Sequence, residues 1–435
     1  MPDTDMPRRG SPSATRLVLT LALCQFTALM DRSLLAALVT PIKASLGLTD
    51  AQIGLLQGTG FAVLYALAIV PAGSLADRIT RQRLLLLGLS VWSLGVLGYV
   101  LAPGFEWLFA ASLLVGLGQA VVLPCSLSLI AERVVTPHRA RANSVLTSAG
   151  VAGRAVALIG GGWLLGALGG TAGLPMTPWR AVILTSLAVN LMAFLALVTG
   201  RATDPVLVAS RTTPTPTPSP TLRDALCWIA ANRSAYVILL VLLSATILTI
   251  QGVAAWTPTL LHRRFALDPA TASLWAGCIT VLAGVAGHAV GGFAVDAAIR
   301  AMGLRGAFIN SAAALALACP GVLLFTQAAD IGVSLAGLVL FAFAMGMATP
   351  TGLTLLQGVT TIPAKGTVSG LMLAATILCG LGFGPLLIGL ASDRGSAAGD
   401  GLASAVVTIV LPVMVVGITA ALAGTRLRSG QTKSR

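Results

Sequence analysis

Twelve apolar stretches follow one another along this chain, and they leave very few folds open to it. They lie at 17–40, 51–75, 84–103, 107–130, 142–168, 180–200, 235–258, 270–295, 305–327, 331–356, 366–391 and 402–424. A helix rises about 1.5 Å per residue, so about twenty residues cross a hydrocarbon core of roughly 30 Å. A backbone inside lipid must satisfy its own hydrogen bonds, which makes each stretch a helix. The expectation is an all-α polytopic membrane protein with twelve transmembrane helices. Thr349-Pro350 predicts a break within the tenth stretch.

Composition agrees. Only 9 % of residues are charged and 56 % are hydrophobic, whereas a soluble domain carries about 25 % charged residues. The segment 1–16 is polar and holds Arg8 and Arg9. The apolar run after it is too long for a signal peptide and reads as a retained helix. The six cysteines are scattered, with no CxxC and no metal-ligand spacing. They predict no disulfide framework, no metal and no cofactor.

The net charge of +13 is carried by short loops. If the N-terminus is cytoplasmic, twenty of the 27 Lys and Arg residues fall inside and five outside, with Arg32 and Arg154 left within spans. That asymmetry points to the cell's inner (plasma) membrane with both termini cytoplasmic, and away from nucleic acid. The longest loop, 201–234, separates six spans from six. Its run 212–221 alternates Thr or Ser with Pro, a pattern of extended, solvated chain. Leu222, Leu226 and Ile229 then recur at helical spacing and predict a short amphipathic helix. The expected division is a tail 1–16, a six-helix bundle 17–200, a linker 201–234, a second bundle 235–424 and a tail 425–435.

The first helix carries Asp31 and Arg32 side by side. A charge within a span costs about 2.5–3.5 kcal/mol on insertion scales, so such a pair marks a polar cavity unless both side chains snorkel. Arg154 sits mid-span in the fifth helix among Gly150, Gly153 and Gly160–Gly162. Asp31 is the acid at comparable depth, and two readings of an Asp31–Arg154 pair stand. One is a static tie within the first half; in the other, protonating Asp31 frees Arg154 for an anionic substrate group. His288 is a second proton-carrying candidate, or a packed neutral residue. Gln251, Thr349, Thr351, Thr354 and Gln357 are the other polar candidates of the second half. Phe61, Tyr65, Trp163, Met345 and Met347 are candidates for an apolar pocket, and Trp256 and Trp275 for interface anchors. Pro258, Pro350 and Pro385 are candidate hinges.

Gly73-Ser-Leu-Ala-Asp77 closes the second span, and Gly292-Phe-Ala-Val-Asp296 closes the eighth. Two related six-helix halves are a transporter plan, with the substrate between them. Gly73 through Asp77-Arg78, Arg81 and Arg83 resembles the loop signature between helices 2 and 3 of the major facilitator superfamily. The resemblance implies the major facilitator fold and makes Gly73, Asp77, Arg78, Arg81 and Arg83, with the echo at Asp296, a conformational latch. Met30-Asp31-Arg32, Leu355-Leu-Gln357, Pro363, Gly380-Leu-Gly-Phe-Gly384-Pro385 and Ser392-Asp393 resemble the bacterial Spinster-like subgroup. Members of that subgroup carry Arg and Glu in helix 4 where this chain has Ser112 and Gln119, a departure that touches lysolipid specificity and any relay through two acids.

The sequence holds no Walker loop, no His-Glu-x-x-His and no Gly-x-Ser-x-Gly, so an enzyme is not expected. Nor is there a repeated filter or charged ring of a channel. The expected function is secondary active transport of an amphipathic, anionic small molecule or lysolipid by alternating access, proton-coupled through Asp31, by a monomer. Arg32, Arg154, Gln119, Ser112, Tyr65 and Gln357 are the candidate substrate contacts. Passive facilitation of lipid-like substrates and multidrug efflux by antiport are the alternatives.

Overall fold

The computed structural model describes residues 12–171, 175–200, 222–360, 365–395 and 401–427. Among them there is no strand, and twelve helices are long and apolar enough to cross a membrane. We number them α1 (Ala14–Ala37), α2 (Asp50–Ile69), α3 (Arg81–Leu101), α4 (Phe105–Arg133), α5 (Arg141–Gly169), α6 (Pro178–Thr199), α7 (Arg233–Phe265), α8 (Pro269–Met302), α9 (Leu304–Gln327), α10 (Ile331–Val359), α11 (Thr367–Gly395) and α12 (Gly401–Gly424). The Pro/Thr-rich run 212–221, the segment 1–11 and residues 428–435 lie outside the described residues.

Local chemistry sets the helix ends. At the start of α2, Thr49 accepts from the Gln52 amide while the Gln52 side chain accepts from the Thr49 amide, a reciprocal cap. Asp268 caps Ala270 and Thr271 ahead of α8, whose first residue is Pro269. A short helix after α1, Val39–Leu46, stops at Gly47 with φ 63°, a conformation glycine adopts without strain.

Two interruptions differ from expectation. The tenth span is one continuous helix, Ile331–Val359, through Pro350. Hydroxyls supply local support, with Thr349 Oγ1 donating to the Met345 carbonyl and Thr354 Oγ1 to that of Pro350. The real irregularities are π-turns at Leu56–Gly60 in α2 and Ile377–Gly382 in α11. They face each other: Thr59 Oγ1 donates to the Gly382 carbonyl at 2.8 Å, and a Cβ on Gly58 would stand 2.6 Å from the same oxygen. Such turns concentrate at functional sites.

The helices form two six-helix halves, α1–α6 and α7–α12. Small residues let the halves touch. Along α2 and α11 the contact runs the full length, from Gly389 against Asp50, through Gly54 on Pro385 and Gly58 on Gly382, to the cluster of Ala66, Ile69 and Ala374. Along α5 and α8 it does not. Gly166 and Gly162 meet Ala270 and Ser273, and Gly277 meets Leu158 and Ile159. Beyond that, toward the end from which the linker emerges, Ser148 of α5 and His288 of α8 are exposed and Gly284 has open space at its Cβ position.

The expected amphipathic helix is present at Leu222–Ala231. Ala225 is buried, Trp228 Nε1 donates to the Tyr236 hydroxyl at 3.0 Å, and Leu226 is exposed. The Tyr236 hydroxyl also meets Thr360 Oγ1, which ties this helix to the second half.

Candidate functional site: a cationic cleft between the halves

A cleft lies between the halves, lined by Arg32 and Ser33 of α1, Gln57 of α2 and Arg154 of α5. The second half contributes Gln251, Thr257, Thr280 and Pro385. Arg32 and Arg154 are close enough for their charges to repel. Arg32 lies 4.8 Å over the Phe61 ring, which stacks on Tyr65 at 5.2 Å. This cation–π contact steadies one guanidinium without neutralising it. No carboxylate is among the cleft-lining residues. Gln57 Nε2 is a buried donor without a partner among the described residues. Two cations and an unused donor in one cleft favour an anion.

Asp31 stands elsewhere. Successive helical residues point about 100° apart, so its side chain turns into the first half while Arg32 turns into the cleft. Its Oδ2 accepts from Trp92 Nε1 of α3 at 3.1 Å and from Asn190 Nδ2 of α6 at 2.7 Å. Its Oδ1 has no partner among the described residues. The expected Asp31–Arg154 pair is therefore corrected: Asp31 bonds to Trp92 and Asn190, and Arg154 keeps company with Arg32. Snorkelling is excluded as well, because Asp31 is buried.

Ser112 and Gln119 are also displaced from the expected contact set. Both are buried inside the first half. The Tyr99 hydroxyl donates to Ser112 Oγ at 2.9 Å, and Ser112 in turn donates to the Leu108 carbonyl. Gln119 Nε2 has no partner among the described residues. Gln357 is exposed and does not line the cleft. Tyr65 is not among the cleft-lining residues; it stacks on Phe61, whose ring lies under Arg32. Trp163 is 70 % exposed and faces outward. Trp256 is fully buried, donating from Nε1 to the Pro385 carbonyl at 3.1 Å, so it braces α7 on α11 and anchors no interface. His288 is exposed on α8, its Nδ1 bonded to the Gly284 carbonyl of its own helix at 2.7 Å, so it is not a packed residue.

Among the residues of the expected latch, Arg81 of α3 pairs with Glu132 of α4 at 2.5 Å. Arg83 and Asp296 are exposed. Gly73, Asp77 and Arg78 fall in the helix that continues α2 to Arg78, and their surroundings lie outside the described residues.

A charged cluster that the sequence reading did not single out closes the other end. Asp50 of α2 accepts two hydrogen bonds from Arg263 of α7, at 2.6 and 2.7 Å, and one each from Lys43 at 2.5 Å and Ser392 of α11 at 2.7 Å. Asp393 accepts from the Asp50 and Ala51 amides at 2.9 and 2.8 Å. Every one of these bonds except that from Lys43 crosses between the halves. Ser392-Asp393 stood in the sequence as a motif, but nothing there paired it with Asp50.

Twelve helices in two halves around a polar cleft, closed by a charged cluster at one end, define a membrane transporter. The family model of the Major Facilitator Superfamily matches residues 21–376, and the chain belongs to that superfamily. An MFS-type efflux pump of Mycolicibacterium smegmatis is 31 % identical over 202 residues, covering 46 % of this chain and 45 % of the pump. The chain thus matches less than half the length of that relative. Protein spinster homolog 1 of Rattus norvegicus is 26 % identical over 401 residues, covering 88 % of this chain and 73 % of the relative. Among solved structures, a bacterial homologue of the human lysosomal transporter Spinster, inward-facing and unoccupied, aligns with TM-score 0.77. Its identity is 20 %, with 96 % of each chain covered.

Proposed function

We propose that this chain is a secondary active transporter moving an amphipathic anion by alternating access, with proton coupling through Asp31. The observation that carries the reading is the cleft itself, where Arg32 and Arg154 converge with no carboxylate in its lining. A bound anion supplies the missing negative charge, and Gln57 and Gln251 supply donors for its polar groups. Arg32 on Phe61 places an aromatic surface beside the anion, which suits an apolar or aromatic body. The similarity to Spinster proteins, and to an efflux pump, supports transport of a lysolipid or another amphiphile. We place the linker end and both termini in the cytoplasm, in the inner membrane, from the loop charges.

Asp31 suits the proton. Both N–H donors converge on Oδ2, which leaves Oδ1 to take and release a proton without breaking either bond. The ionised carboxylate grips Trp92 and Asn190 with charge-assisted bonds, and the neutral acid grips them less. Because Arg32 is the next residue on α1, a change in that grip rotates the arginine in the cleft. Proton on Asp31 and anion on Arg32 are thereby coupled through one step of α1. Asp77, with Arg78, Arg81 and Arg83, serves as the cytoplasmic latch of this cycle. Asp77→Asn is expected to slow transport several-fold while leaving substrate affinity unchanged; lowered affinity with an unchanged conformational balance overturns the latch role.

The test of the cleft uses a probe panel of a lysophospholipid, an aromatic carboxylate and their neutral analogues. Thermal stabilisation of the purified protein is expected from the anions only, and is expected to fall at least tenfold in apparent affinity in Arg154→Ala. Equal stabilisation by the neutral analogues contradicts the reading.

A further inference from the structure

Asn190 of α6 is 1 % exposed, and its Nδ2 donates to Asp31 Oδ2 at 2.7 Å. Its Oδ1 has no hydrogen-bond partner among the described residues, and neither has Asp31 Oδ1. The two side chains share one bond, and each keeps a second oxygen that is buried and unused. Buried acceptors left in this way are rare in folded proteins and call for a partner.

The neighbouring groups do not supply one. Ser186 lies beside the carboxylate, but its hydroxyl donates to the Ile183 carbonyl at 2.9 Å. Tyr99 of α3 is the titratable group that faces Asp31 from a packed helix, and its hydroxyl donates to Ser112. Trp92 has a single N–H, spent on Oδ2. Arg154 of α5 lines the cleft with Arg32. Charged side chains on the other helices packed against α1 stand at helix ends, among them Asp50, Glu132, Arg180 and Arg263, and His288 of α8 is exposed.

Two acceptors cannot bond each other, but a proton placed between them bonds both. A protonated carboxyl and a primary amide are complementary: the acid O–H donates to the amide oxygen while the amide N–H donates to the acid carbonyl oxygen. Half of that pair is already formed, from Asn190 Nδ2 to Asp31 Oδ2. The two unused oxygens are the atoms that the other half needs.

We propose that Asn190 is the second ligand of the transported proton: when Asp31 is protonated on Oδ1, that proton is held against Asn190 Oδ1, and acid and amide close into a two-bond pair. The inference rests on the reading of Asp31 as the proton carrier and adds the residue that receives the proton on its far side. Protonation then moves the tie of α1. The ionised carboxylate is held by charge-assisted bonds to α3 and α6 together. The neutral acid weakens each of those bonds and gains a new one to α6, so the proton on Asp31 is expressed as a preference of α1 for α6 over α3.

The test is difference infrared spectroscopy of the full chain in liposomes, between alkaline and acid pH. The carboxylic-acid C=O band of Asp31 is the one lost in Asp31→Asn. A hydrogen-bonded acid absorbs at lower frequency than a free one, so Asn190→Leu is expected to move this band to higher frequency. Ser186→Ala is expected to leave it in place. A second measurement needs no substitution at 190 and so stands even if Asn190→Leu fails to fold. In protein carrying carbon-13 in its asparagine side chains, one amide C=O band is expected to move to lower frequency on acidification, and this shift is expected to vanish in Asp31→Asn. An Asp31 band that ignores Asn190→Leu, or asparagine bands that ignore pH, overturns the proposal and leaves the proton reading standing. A shift in Ser186→Ala as large as that in Asn190→Leu overturns it too, and so does an equal asparagine shift produced by Na+ at alkaline pH, which would put a metal ion between the two oxygens. Absence of any Asp31 acid band in the parent overturns the proton reading and this proposal together.

Discussion

Trp92 is the residue whose role is easiest to isolate, because it offers one hydrogen bond to one carboxylate. Trp92→Phe keeps the aromatic bulk and removes the N–H to Asp31. A buried bond to a charged group is worth about 1.5–3 kcal/mol, so the variant is expected to melt earlier in detergent and to transport more slowly. Unchanged melting would show that the Trp92 bond has no share in holding Asp31. The sequence told which residues are unusual, since charges in spans are conspicuous. It did not tell where they point. Asp31 and Arg32 were both read as lining the cavity, yet one residue step on a helix sends two neighbours to different surroundings. Ser112 and Gln119 misled for a related reason: a polar residue in a span need not face the cleft, and both are buried inside the first half, Ser112 against Tyr99. Trp92 and Asn190 sat unnoticed because neither is charged, and their meaning appears only when α3 and α6 bring them to α1.

At the scale of elements, the facing π-turns of α2 and α11 form a close seam between the halves. Gly58→Val puts a branched side chain against the Gly382 carbonyl and is expected to cost about 1–3 kcal/mol as overpacking. Gly370, with nothing within 4 Å of its Cβ position, supplies the control, and Gly370→Ala is expected to leave melting unchanged or slightly raised. Equal effects at both glycines would refute a load on the seam. All twelve spans were legible, because length and apolarity decide them without tertiary information. The linker helix was legible too, from the spacing of its apolar residues. The tenth span was misread at Thr349-Pro350, since proline weakens a helix only as far as neighbours and hydroxyls fail to support it. The π-turns left no sequence mark beyond glycines, which are abundant throughout this chain.

For the whole molecule, sidedness and coupling are the properties that matter. Cys227, exposed on the linker helix, reports sidedness directly. A membrane-impermeant maleimide is expected to label it in permeabilised cells and not in intact ones; labelling in intact cells would invert the proposed topology. The charge cluster at the far end was invisible in sequence, because Asp50 and Arg263 are separated by 213 positions and each reads alone as an ordinary loop charge. The family was visible, because its signature is local. What joins these scales is the claim that Asp31 carries the proton while Arg32 and Arg154 hold the anion. The direct measurement is gradient-driven accumulation, in liposomes under an imposed pH difference, of an anionic amphiphile that the thermal panel shows to bind. Asp31→Asn is expected to retain counterflow exchange and to lose accumulation against a concentration gradient. Undiminished accumulation, still driven by the pH difference, would contradict the account.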